Sequence, residues 1–197
     1  EGTGYDYTTI KYNSMGEEQW VARYNNIANT DEIGEALEID PNGNIVVTGS
    51  SVTIKYNKNG DQLWIAQQAG IDVAISSAND IYITDNSYVI KYDSLGERRW
   101  TAEGGGKKMV IDALGNIYVT GGGQSYITIK YSALGVQLWR SVYGGPSTYV
   151  YANSLAVNDS GNVYVTGENV AKATTLKYNS RGDLIWVVDY QRPNGAN

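Results

Sequence analysis

Short runs of alternating apolar and polar residues, each cut by a cluster of turn residues, recur along the whole chain. The run Leu37-Glu38-Ile39 meets Asp40-Pro41-Asn42-Gly43-Asn44 and continues as Ile45-Val46-Val47-Thr48-Gly49. Alternation on both sides of a tight turn predicts a β-hairpin. Val73 to Asp85, Met109 to Gly121 and Leu155 to Gly167 repeat the pattern. The turn holds Gly43, Gly115 and Gly161 in three copies and Asn79 in the fourth. Gly and Asn are the residues that best accept a positive φ, so the position is predicted to be left-handed. Within these hairpins Leu37, Val73, Met109 and Leu155 align, as do Ile39, Ile75, Ile111 and Val157, and both sets are expected in the core.

A second hairpin follows each of the first kind. It begins with a Lys-Tyr pair, as in Thr53-Ile54-Lys55-Tyr56, and ends on Trp, as in Leu63-Trp64. Lys11 and Trp20, Lys55 and Trp64, Lys91 and Trp100, Lys130 and Trp139, and Lys177 and Trp186 are each nine residues apart. Gly16, Gly60, Gly96, Gly135 and Gly182 stand five residues after their Lys. A constant spacing means one turn and one register, because a one-residue slip would reverse every side chain.

Two hairpins per repeat make four strands. Successive Trp residues lie 44, 36, 39 and 47 positions apart, close to the length of a four-stranded propeller blade. No window has the 3.6-residue period of a helical solenoid. The expected fold is therefore an all-β propeller of four-stranded antiparallel blades in a single domain, 1–197. A half-blade covers 1–32, blades follow at 33–70, 71–106, 107–147 and 148–191, and a further repeat starts at 192–197. Closure would give five blades. An open half-blade leaves a bare strand edge, so a partner chain or a chain extension is expected to complete it.

Composition narrows the chemistry. With no His and no Cys, Ser-His-Asp and Cys-His nucleophiles and nearly all zinc, copper and haem sites are excluded. A net charge of −6 argues against a nucleic-acid partner. No apolar run approaches the length of a membrane span. Tyr and Trp supply all the aromatic residues, which suits half-buried sheet faces. No cofactor or metal is expected. The loops Asp40-Pro41-Asn42-Gly43-Asn44 and Asn57-Lys58-Asn59-Gly60-Asp61 lack the residue order of a calcium loop, and turn chemistry explains them better.

The unit Ile39-Asp40-Pro41-Asn42-Gly43-Asn44-Ile45-Val46-Val47-Thr48-Gly49, followed by Thr53-Ile54-Lys55-Tyr56 and Leu63-Trp64, resembles the bacterial β-propeller repeat called SBBP. It is more distantly similar to the NHL propeller repeat. The resemblance implies an extracellular or cell-surface setting and an interaction role. It carries no shared catalytic motif, so it transfers no functional residue. The copy Val73 to Asp85 departs most, with Ser76 in place of Asp and Asp85 in place of the final Gly.

The repeated Lys and Trp residues are expected to be structural, Lys stems covering apolar surface and Trp filling the space between neighbouring sheets. Function in a repeat scaffold is sought where repeats differ. Glu35, Asp72, Lys107 with Lys108, and Asn153 with Ser154 stand just before or at the start of the first strand of each whole repeat. Similarity to other propellers places them at one mouth of the central channel. Two longer links, Asn25 to Glu35 and Tyr143 to Asn153, accompany them, the second bringing Tyr149 and Tyr151 in a Tyr-, Gly- and Ser-rich loop typical of recognition surfaces. These residues are the candidate ligand-binding set for a protein or glycan. An alternative is a carbohydrate-active enzyme drawing two carboxylates from Asp31, Glu32, Glu35, Glu38 and Asp72. A third is a structural repeat unit that assembles through its open half-blade.

Overall fold

A computed structural model describes residues 5–26, 31–145, 150–169 and 172–191. Its strands form one two-stranded and four four-stranded sheets, with antiparallel pairing. The two-stranded sheet pairs β1 (Tyr7–Tyr12) with β2 (Glu18–Tyr24). The first full sheet runs β3 (Gly34–Ile39), β4 (Ile45–Gly49), β5 (Thr53–Tyr56) and β6 (Gln62–Ala66). The second runs β7 (Asp72–Ile75), β8 (Ile81–Thr84), β9 (Tyr88–Tyr92) and β10 (Arg98–Glu103). The third holds β11 (Lys108–Ile111), β12 (Ile117–Gly121), β13 (Tyr126–Tyr131) and β14 (Gln137–Tyr143). The fourth holds β15 (Val150–Val157), β16 (Val163–Asn169), β17 (Lys172–Tyr178) and β18 (Leu184–Gln191). These are four whole propeller blades and one half-blade, in the order the repeats predict.

The chain divides into two compact units, Glu1–Ile83 with Lys91–Arg99, and Thr84–Ile90 with Trp100–Asn197. In the first, Tyr7, Ile45, Val47, Val52, Ile54 and Tyr56 form a buried cluster against which Trp20, Ala22, Tyr24 and Ile65 pack. In the second, Tyr118, Tyr126, Val150, Leu155, Val165, Leu176 and Tyr178 do the same, with Trp139 and Tyr143 against them. The middle strands β4, β5, β8 and β12 are buried along their whole length. A strand covered on both faces takes mainly apolar or Thr side chains, which is why these read as β-rich runs; Lys55 in β5 is buried with a carboxylate partner, Asp40.

Each turn is closed by its first residue. Asp40 accepts from the backbone N–H of Asn42 and of Asn44, both at 2.9 Å, and Asn57 accepts from those of Asn59 and Asp61 at 2.8 and 3.0 Å. Gly43, Gly115 and Gly161 have φ of +79°, +78° and +73°, and Asn79 has +64°. In the Lys-Tyr hairpins Lys11, Lys55, Lys130 and Lys177 pair directly with Trp20, Trp64, Trp139 and Trp186, with a register shift immediately after each Lys. That shift absorbs the extra turn residue and fixes the nine-residue spacing.

One core expectation fails in the first full blade. Val73, Met109 and Leu155 are buried, but their counterpart Leu37 is 58% exposed, as is Ile39. Ile75, Ile111 and Val157 are only half-buried. The two-stranded sheet packs on β4 and β5 through Trp20, Ala22 and Tyr24 and has no further strands to lay over β3. A groove of about 480 Å³, lined by Tyr5, Tyr7, Thr9, Glu32, Ile33 and Val47 among others, runs beside β1 instead.

Candidate functional site

The repeated Trp residues make one contact four times. Trp20 Nε1 donates to the Lys58 carbonyl at 3.1 Å, Trp64 to Ser94 at 3.2 Å, Trp100 to Ala133 at 3.2 Å and Trp139 to Ser180 at 3.1 Å. In each case the acceptor stands two residues before the turn glycine of the next repeat, and the indole lies over that glycine. A Cβ on Gly60, Gly96, Gly135 or Gly182 would fall 2.8, 2.8, 2.8 or 2.7 Å from the ring. The Tyr of the next Lys-Tyr pair completes the seat, with ring centroids 6.3 Å apart for Trp20 and Tyr56, 6.1 Å for Trp64 and Tyr92, and 6.3 Å for Trp139 and Tyr178. These four indoles hold sheets together.

The five repeated Lys residues have four different surroundings. Lys11 donates from Nζ to the Lys58 carbonyl at 2.8 Å. Lys55 is buried in an ion pair with Asp40 at 2.9 Å. Burial raises the Asp40 carboxyl, but hydrogen bonds from Lys55 and from Asn44, with the Lys55 charge, outweigh it and hold Asp40 below the ordinary value. Lys91 pairs with Asp80 at 2.7 Å and lies over the Tyr82 ring at 5.4 Å. Lys130 and Lys177 lie over Tyr118 and Tyr164 at 4.9 and 5.3 Å, and among the described residues no carboxylate pairs with either. The Asp112 that aligns with Asp40 instead accepts from the Tyr118 hydroxyl at 3.0 Å and from Asn116. Tyr82, Tyr118 and Tyr164 stand where the first blade has Val46, and each gives its Lys a ring to lie over.

A polar cleft of about 590 Å³ lies between the last two sheets, with Asp112, Tyr118, Lys130, Asp159, Ser160 and Ser180 in its wall. Sequence comparison of the repeats had not singled it out. The usable signal was the changing pair at the turn ends, Asp40 and Asn44, Ser76 and Asp80, Asp112 and Asn116, Asn158 and Asn162.

The candidate rim residues fall in both units. In the first, Glu35 is exposed on β3, whereas Asp72 opens β7 with its side chain buried. In the second, the structure joins Lys107 to Asn153 by a hydrogen bond of 2.8 Å from Nζ to Oδ1. Asn153 sits at a register shift in β15, where Ala152 pairs with Gly167 and Ser154 with Thr166. Ser154 and Tyr151 on the same strand are exposed, and Lys108 is half-buried at the start of β11. Tyr149 lies outside the described residues. Of the carboxylates weighed for catalysis, Asp31 accepts the Tyr5 N–H at 3.0 Å, Glu32 is buried and accepts from the Asn26 N–H at 3.4 Å, and Glu38 is exposed. No group of three or more Asp and Glu residues suited to a metal ion occurs among the described residues.

Comparison with known proteins agrees with this architecture. Residues 138–168 match the family model of the SBBP β-propeller repeat. No curated protein sequence matches the chain. A solved protein of unknown function from Bacteroides caccae superposes with a TM-score of 0.58 at 13% identity, covering 92% of this chain and 74% of that one. The Dos1 propeller gives 0.64 at 11% identity over 93% of this chain and 51% of its own. A putative 6-phosphogluconolactonase from Bacteroides fragilis gives 0.67 at 12% identity, over 95% and 66%. The chain thus spans about half to three quarters of these structures. At such identities the likeness concerns the fold, and the chain is a β-propeller repeat protein carrying an SBBP repeat.

Proposed function

We propose that this protein is a non-enzymatic interaction scaffold, working outside the cell or at its surface, that binds a protein or glycan through the non-repeated residues at the starts of its inner strands. The bridge from Lys107 to Asn153 carries the reading. It ties the starts of two neighbouring blades with residues that recur in no other repeat, and Ser154 and Tyr151 stand exposed on the same strand. An ammonium, an amide, a hydroxyl and a phenol ring on a rigid sheet suit the polar groups and apolar faces of a sugar or a peptide. Four of the five repeated Trp residues are by contrast taken up in packing between sheets, which favours the positions that vary for recognition. The extracellular setting rests on the resemblance to SBBP proteins.

Glycan arrays and immobilised polysaccharides test this directly. Retention of a glycan, weakened about tenfold or more by Lys107→Ala with Tyr151→Ala, as expected for loss of interface anchors, supports it. Equal retention by that variant removes these residues from the site. Polysaccharide cleavage abolished by Glu35→Gln or Asp72→Asn would replace the scaffold with a carbohydrate-active enzyme.

A further inference from the structure

In the first two full blades an internal carboxylate answers the repeated ammonium: Asp40 meets Lys55 at 2.9 Å and Asp80 meets Lys91 at 2.7 Å. In the third blade both sources are closed. Asp112 has the place of Asp40, but its oxygens already accept from the N–H groups of Leu114 and Asn116, from the Asn116 amide and from the Tyr118 hydroxyl. The place of Asp80 is held by the neutral Asn116. Lys130 is left half-buried over the Tyr118 ring at 4.9 Å, with no carboxylate partner among the described residues. Beside it lies the cleft of about 590 Å³, within the size range of small-ligand sites. Ile111 and Val157 give it apolar surface, and Asp159, Ser160 and Ser180 give it polar wall. The side chains of these last three make no hydrogen bond among the described residues. The whole cleft belongs to one compact unit. Asp112 and Asn158 follow the last residues of β11 and β15, whereas Lys107 precedes β11 and Asn153 stands in the first half of β15, so the cleft is separate from the Lys107–Asn153 bridge.

We propose that this cleft binds a uronic acid unit of an acidic glycan, with the sugar carboxylate on Lys130 and sugar hydroxyls on Asp159, Ser160 and Ser180. A partly desolvated ammonium with no internal counter-charge gains most from an anion that a ligand brings, through a charge-assisted hydrogen bond. The other charge in the wall decides what must accompany that anion. Asp159 accepts hydrogen bonds and repels a second negative group, so the ligand needs donors next to its carboxylate. A uronate ring carries both, one carboxylate among several hydroxyls, and its C–H face suits Ile111 and Val157. An acidic peptide side chain brings the carboxylate without the hydroxyls. The site does not rest on the ligand-binding reading at the strand starts.

Isothermal titration calorimetry of the whole chain tests it with oligosaccharides of galacturonate, glucuronate and mannuronate, with a neutral galactose oligosaccharide, and with a glutamate-rich peptide. At least one uronate is expected to bind, and the neutral sugar to bind at least about tenfold more weakly, the loss of a charge-assisted hydrogen bond. Lys130→Met keeps an apolar stem over Tyr118 and is expected to weaken the uronate by the same factor. Asp112→Ser with Asn116→Asp gives the third blade the turn ends of the second, Ser76 and Asp80. The introduced carboxylate is expected to take Lys130 as Asp80 takes Lys91, closing the site while circular dichroism stays native. Lys107→Ala with Tyr151→Ala is expected to leave uronate binding here unchanged, which separates this site from the one at the strand starts. The proposal is overturned if no uronate binds, or if the peptide or the neutral sugar binds as tightly. Undiminished binding by the Asp112, Asn116 variant, or loss of binding in the Lys107, Tyr151 variant, overturns it as well.

Discussion

Trp20 and Gly60 are fitted to each other: the indole covers the glycine so closely that a Cβ there would lie 2.8 Å from Cδ2, and Nε1 donates to the carbonyl of Lys58 at 3.1 Å. The glycine therefore answers two demands at once, a left-handed turn at φ +93° and a flat seat for the ring. Gly43, at φ +79°, answers only the first, because nothing lies within 4 Å of its Cβ position.

Substitution by Ala separates these demands. Gly43→Ala is expected to cost about 1 kcal/mol, the penalty for a Cβ in the left-handed region. Gly60→Ala adds overpacking against the indole and is expected to cost about 3 kcal/mol. Gly43→Asn is expected to be close to neutral, as Asn79 already occupies the equivalent turn. Urea unfolding of the three variants gives the comparison, and equal losses for both Ala variants would deny Trp20 a part in holding Gly60.

Much of the fold was legible because the repeat constrains itself. Five Lys-Trp pairs at one spacing fix a hairpin and its register without any knowledge of partners, and Asn79 in a glycine position announces a left-handed residue before any dihedral angle is seen. Leu37 and Ile39 were misread for the opposite reason. Their burial depends on what the neighbouring sheet lays over them, and the two-stranded sheet beside β3 lays nothing. The same limit applied to the candidate site. Lys107 and Asn153 were legible as equivalent, non-repeated positions, but the hydrogen bond between them was not. Glu35 and Asp72 are equally non-repeated, yet one is exposed and the other buried. Burial at a strand start is set by neighbouring sheets, which no single repeat encodes.

Alkaline titration should reveal buried tyrosines that ionise late. Burial first, with neighbouring carboxylates and Tyr143 adding to it at Tyr126, pushes the phenols of Tyr126, Tyr131 and Tyr178 up to about 12. A phenol whose folded pKa lies above its unfolded value favours the folded state below the unfolded value, and that contribution disappears as pH rises through the folded one. The ordinary phenol value is about 10, and these three rings are expected to stay protonated past it. A rise in ultraviolet phenolate absorbance near 12 should coincide with loss of sheet signal in circular dichroism. A single transition near the ordinary value would contradict the burial of these three rings.

Acid should act through the turn carboxylates. At Asp112 burial raises the carboxyl, but hydrogen bonds from the Asn116 side chain and backbone, from Tyr118 and from the Leu114 N–H outweigh it and hold the group below 3.8. A depressed carboxyl contributes stability that is present above its unfolded value and lost as pH falls through the folded one. Stability is thus expected to fall progressively below pH about 4. Asp112→Asn should show a smaller acid loss, because Asn158 closes the equivalent turn with an amide that accepts from Ser160 and Asn162. Melting temperatures of both proteins across the acid range decide it, and identical pH profiles would remove Asp112 from the acid response.

The ion pair of Lys91 offers a test of how the repeats trade partners. The second full blade has Ser76 and Asp80 at its turn ends, the third has Asp112 and Asn116, and both carry a Tyr before the Lys strand, Tyr82 and Tyr118. In the second, Asp80 pairs with Lys91 at 2.7 Å. In the third, Asp112 takes the Tyr118 hydroxyl and Lys130 keeps only the ring. Asp80→Asn alone removes the carboxylate from a partly buried ammonium and is expected to cost about 1 kcal/mol, near the upper end for such a pair. Adding Ser76→Asp recreates the third blade's set of side chains. The introduced carboxylate is then expected to accept from Tyr82 and recover most of the loss, leaving Lys91 over the Tyr82 ring. Urea unfolding of the single and double variants measures the recovery, and a double variant no more stable than Asp80→Asn would show that the two arrangements are not interchangeable between blades.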